Sequence, residues 1–92
     1  MTRYRVIPGA SFQFWEWGEF TAFYHRLSGR THCVDPLSAA VLRGLIAAPA
    51  DLVALSDHVA NEIAIEKDAT FDSYMVQAVQ QFLDLGLIEC DD

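Results

Sequence analysis

The side chains of this 92-residue chain that could do chemistry are three histidines, two cysteines, five serines and thirteen carboxylates. Metal binding needs several nitrogen or sulfur donors brought to one point, usually through spacings such as CxxC or HxxxH. None of these spacings occurs around His25, His32, His58, Cys33 or Cys90. His25 and His32 flank Ser28-Gly29 and are expected almost opposite each other across a tight turn. His32 and Cys33 are neighbours on a strand, so they point to opposite faces and cannot easily share a metal. The two thiols have no motif between them and read as small buried hydrophobes rather than as a disulfide or ligand pair.

Nucleophilic catalysis has no better footing. Ser11, Ser28, Ser38, Ser56 and Ser73 lack the glycine-flanked elbow that exposes a nucleophile, and no glycine-rich phosphate loop is present. The carboxylates fall mostly at solvent-facing helical positions. A domain of this size has little room for a closed, dry pocket. The chain reads as a non-enzyme with no cofactor and no metal.

Charge decides between partners. Residues 1–43 hold Arg3, Arg5, Arg26, Arg30 and Arg43 against three carboxylates, whereas residues 44–92 hold Lys67 against ten. Phosphate contacts dominate the affinity of nucleic-acid binders, and from Asp68 to Asp92 there is no basic residue to make them. Nucleic acid is excluded as a partner of that half. No stretch reaches the roughly 18 uncharged apolar residues of a membrane helix. The first residues, Met1 to Arg5, lack the apolar run of a signal peptide, so a cytoplasmic setting is expected, with no membrane partner.

Those residues must be held by something. One domain is expected over residues 1–92, with a core that buries only about 60–65% of the surface the unfolded chain exposes. Phe12 to Trp17, Phe20 to Arg26 and Arg30 to Val34 read as strands, the last two joined at Ser28-Gly29; Tyr4 to Ile7 reads as a short extra strand. Phe14 and Trp15 fall on opposite strand faces, so both faces receive large rings and one of them should be partly exposed. Asp35-Pro36 is a helix start, and Leu37, Val41, Leu42 and Leu45 recur helically until Ala47-Ala48-Pro49. Asp51 opens a second helix with the stripe Leu52, Leu55, Val59 and Ile63. Thr70 is expected to cap a third, whose apolar face is Phe71, Met75, Ala78, Val79, Phe82 and Leu85, with Gly86 ending it and Leu87 to Glu89 extended. The expected class is α+β: an N-terminal three-stranded antiparallel sheet followed by a three-helix bundle, in a winged helix-turn-helix-like layout.

The run from Tyr24 to Arg43 resembles the PqqD family. Its hairpin is followed by Val34-Asp35, the small residues Ser38-Ala39-Ala40 and the aliphatic pair Val41-Leu42; Phe82 to Ile88 is similar to the family's closing helix and Gly-Leu exit. Trp17 to Phe23 and Asp35 to Ser38 bring the chain closest to the PqqD-like proteins that accompany HPr-kinase-related (HPr-rel-A) proteins. Ala47-Ala48-Pro49-Ala50 departs from the Asp-Gly that many members carry between the first two helices.

This resemblance implies a RiPP recognition element, a peptide chaperone that holds the leader segment of a precursor peptide for a modifying enzyme. Relatives take the leader as an extra strand beside the third strand, in a groove walled by the third helix. By position the edge is Arg30, Thr31, His32, Cys33 and Val34, and the wall is Tyr74, Gln77, Ala78 and Gln81. About four or five main-chain hydrogen bonds at a net ~0.5–1.5 kcal/mol each give a few kcal/mol. Micromolar binding takes about 8 kcal/mol, so pockets beside the edge must supply the rest. The alternatives are a structural subunit docking on a kinase-like partner, such as an HPr-kinase-related protein, through the aromatic patch, and a homodimer formed by edge-to-edge strand pairing.

Overall fold

The structure is a computed structural model that describes residues 2–26 and 28–91, with Trp17 described by its backbone alone. Leu27 of the expected turn, and the Trp17 ring of the expected aromatic cluster, lie outside that description. The elements in chain order are β1 (Arg3–Val6), β2 (Phe12–Trp17), β3 (Phe20–His25), β4 (Arg30–Val34), α1 (Pro36–Ala47), β5 (Ala50–Asp51), α2 (Leu52–Ile63), α3 (Ala69–Asp84) and β6 (Ile88–Cys90). The class is α+β, as expected. The described strands, however, form two antiparallel sheets of three, ordered β2-β3-β4 and β5-β1-β6, where a single N-terminal sheet was expected.

The second sheet joins distant parts of the chain. β1 lies between β5 and β6, with Arg3 opposite Asp51 and Arg5 opposite Glu89. Arg5 also meets the Glu89 carboxylate at 3.3 Å, and Arg3 that of Asp91 at 2.9 Å. Exposed pairs of this kind add about 0.2–1 kcal/mol each. Periodicity within a short segment carries no information about such pairing, which is why the sheet was not foreseen.

Each helix begins on an aspartate. The Asp35 carboxylate accepts the Ser38 N–H, that of Asp51 the Ala54 N–H, and that of Asp68 the Phe71 N–H, all at 2.8 Å. A side-chain acceptor here satisfies an N–H that has no partner within the helix. Asp68 thus takes the role expected of Thr70, which falls inside α3. At the other end Gly86 adopts φ +74, its N–H reaches the Leu83 carbonyl and the Leu87 N–H that of Phe82, the paired bonds of a Schellman stop. Leu85 lies past the last turn and is exposed rather than part of the apolar face.

α1 is the central helix, packed against α2, α3, β1 and β3. Buried on it are Val41, Leu42 and Leu45 and also the small residues Ser38, Ala39 and Ala40, which let neighbouring elements approach from several sides. The inner face of the β2-β3-β4 sheet completes the core through Phe23, which meets Phe82 of α3. Its outer face is open: Trp15 is 50% and Phe20 56% exposed, so the expectation that one ring face stands partly uncovered holds.

Candidate functional site

The β3–β4 register sets the site. His25 pairs with Arg30, Phe23 with His32 and Thr21 with Val34. The connection therefore spans residues 26–29 rather than the two residues expected, and His25 and His32 are not opposite each other. A shift of two preserves the face, because side chains alternate with period two. His25, Arg30 and His32 accordingly share the inner face, one ladder step apart.

Each imidazole is stacked on a phenylalanine, His25 on Phe12 at 5.0 Å and His32 on Phe23 at 5.1 Å between ring centroids. His25 is only 4% exposed. Its Nδ1 lies 3.1 Å from Ser28 Oγ, which also accepts the Arg30 N–H at 3.2 Å and is placed to donate to the His25 carbonyl at 3.4 Å. Its Nε2 is buried with no partner among the described residues. Burial, with the neighbouring His32 second, pushes the His25 pKa below its ordinary value of 6.5.

Beside the hairpin lies an open cleft of about 470 Å³ lined by His25, Ser28, Arg30, His32, Leu85, Gly86 and Leu87. The α3 stop makes its far wall, since the turn at Gly86 swings the chain back toward the sheet. Among the described residues, every ionisable group lining this cleft is a base. β4 is hydrogen-bonded to β3, and among the described residues no strand pairs with its other edge.

The nine residues expected at the site divide. Arg30 and His32 line the cleft. Thr31 and Cys33 are exposed, and by register they stand on the outer face with Ala22 and Tyr24. Val34, buried, closes the inner end of the strand. Tyr74 and Gln77 line a separate depression with Ala69, Thr70 and Ser73 at the start of α3. Gln81 is exposed, while Ala78 is 3% exposed and belongs to the core, so it offers no open wall. His25, Ser28, Leu85, Gly86 and Leu87 were not expected at the site. The signal for His25 was present in the alternation of β3, which puts it on the face of Phe23.

Both thiols are free and exposed, which corrects the reading of them as buried hydrophobes. Cys33 faces outward from β4 and Cys90 ends β6, so neither position is covered by a second layer. Among the described residues no group of three histidine, cysteine or carboxylate side chains could hold a metal ion, and no helix is long and apolar enough to cross a membrane. No family model matches the chain, and no curated protein or solved structure does.

Proposed function

We propose that this protein is a non-catalytic peptide-recognition domain of winged-helix-like layout, which takes the leader segment of a precursor peptide as an added strand on β4 and presents it to a modifying enzyme. The observation that carries the reading is the edge of β4, which no described strand covers and which adjoins a cleft. An uncovered strand edge offers main-chain donors and acceptors that an extended peptide completes, and neighbouring pockets select its side chains. β2 has the other edge that no described strand covers, but the depression beside it is lined by Ser11 and otherwise apolar residues, among them Val6, Ile7, Phe12, Phe14 and Ile46, with no charged group among the described residues. β4 is the better platform because bases and backbone groups meet there.

Panning a random-peptide library against the domain, then mapping selected peptides by amide chemical-shift changes, tests this. Shifts should centre on residues 30–34 and 85–87, and N-methylation of alternate peptide amides should abolish them by removing ladder donors. Shifts confined to α2 or to the β5-β1-β6 sheet would defeat the reading.

A second reading has its own observation. The outer face of the β2-β3-β4 sheet carries exposed Trp15 and Phe20, and such rings are enriched in protein interfaces. A structural subunit docking on a kinase-like partner would use that face. A stable one-to-one complex formed without peptide, and lost in Trp15→Ala, would favour it.

A further inference from the structure

Clustering of bases in this cleft is unexpected in a chain of net charge −7. Arg30 and His32 line it from β4 and His25 from β3, all on one sheet face. Ser28 contributes a hydroxyl, and Leu85, Gly86 and Leu87 contribute no titratable side chain. Phe12, the residue stacked on His25, is likewise uncharged. Among the described residues no carboxylate lines the cleft to neutralise these bases.

His25 gives the second observation. A buried polar side chain normally finds a hydrogen-bond partner, yet its Nε2 has none among the described residues. The hydrogen bonds at Ser28 Oγ accommodate either protonation state: Oγ can accept from Nδ1–H while its own proton goes to the His25 carbonyl. A protonated ring therefore needs no rearrangement on the Ser28 side. What it lacks among the described residues is a negative partner, and His25 is one of the residues that line the cleft.

We propose that the cleft is an anion site, formed by Arg30, His32 and His25, that takes a carboxylate of the bound peptide. This rests on the peptide reading and adds to it the class of residue selected: an aspartate or glutamate whose main chain lies on the turn-proximal end of β4. Arg30 supplies the planar fork that matches a carboxylate, and the two imidazoles supply charge when protonated. Protonation of His25 couples binding to pH. Burial holds the pKa of the free ring below 6.5, and a carboxylate bound beside it favours the protonated form, so affinity rises as pH falls toward the carboxylate's own range.

The probe is N-acetylglutamate N-methylamide, with its neutral glutamine counterpart as control, titrated while the ring resonances of His25 and His32 are followed by NMR. The acidic probe should move the resonances of both rings and raise the titration midpoint of His25, and it should bind about tenfold more tightly near pH 6 than near pH 8. Arg30→Gln, an exposed position whose change leaves the fold intact, should weaken binding about tenfold. Equal effects of acid and amide, or undiminished binding by Arg30→Gln, would overturn the site. Library peptides supply the separating arm, displayed with amidated C-termini so that a terminal carboxylate cannot substitute. Peptides that map to β4 without an acidic residue at a fixed place overturn the anion site and leave the peptide reading standing. Peptides that map elsewhere overturn the peptide reading, and the glutamate titration then decides the cleft by itself.

Discussion

The ring of Phe23 on β3 meets that of Phe82 on α3 edge-on, with centroids 6.3 Å apart and planes inclined by 62°. Both rings are fully buried. Phe23 also touches Phe12, Phe14 and His32, so this contact ties the sheet that carries β4 to the helix whose stop forms the far wall of the cleft. An edge-to-face pair contributes about 0.5–1.5 kcal/mol beyond the area it buries.

Phe82→Ala should therefore cost about 3–5 kcal/mol, through the lost ring and the cavity left behind. Set against a total stability of about 5–15 kcal/mol, this leaves a marginal domain. Phe20→Ala, on the open face, should change stability by no more than about 0.5 kcal/mol. Urea denaturation followed by circular dichroism measures both, and equal losses would contradict the assignment of inner and outer faces.

Asp68→Ala should destabilise by about 1 kcal/mol, because it leaves the Phe71 N–H without its acceptor. Thr70→Ala should stay within about 0.5 kcal/mol, since Thr70 lies inside the first turn and does not cap it. The difference between the two denaturation midpoints is the test. A larger loss at Thr70 would restore the threonine cap.

Stability should fall as pH is lowered from about 7 to about 5. The folded His25 pKa lies below 6.5, owing first to burial and then to His32. In that window the unfolded chain binds more protons than the folded one, so stability rises with pH and is lost on acidification. His25→Phe preserves the stack on Phe12 and removes the titrating group. Its urea midpoint should be flatter than that of the unaltered protein across the same window. Identical slopes would remove His25 as the cause.

Both cysteines should react with Ellman's reagent in the native protein without denaturant, because both are exposed and free. A selected peptide lying on β4 should slow the labelling of Cys33 relative to Cys90. Unchanged relative rates on saturation would place the peptide away from that strand.

Much of the local structure was readable beforehand. Asp35-Pro36 and Asp51 announced two helices because a short carboxylate before an apolar period satisfies the orphan N–H groups, and this needs only neighbouring residues. Gly86 announced the end of α3 for the same reason: a left-handed turn is easiest without a Cβ. The hairpin was legible in kind but not in register. Two- and four-residue connections carry the same face pattern, and only ladder pairing chooses between them. Thr70 was a reasonable cap by residue type, but Asp68 holds the extended backbone that places its carboxylate over Phe71.

By itself the sequence determined the α+β class, the starts of α1 and α2, the stop of α3 and the exposure of rings on one sheet face. Each of these follows from alternation or a residue's own backbone preference, quantities that act over a few positions. Tertiary structure alone decided that β1, β5 and β6 share a sheet, that Ala78 is core, that both thiols are exposed, and that His25, Arg30 and His32 converge beside Leu85 to Leu87. These depend on which distant segments pack together, and that is settled by burial of the whole apolar surface at once.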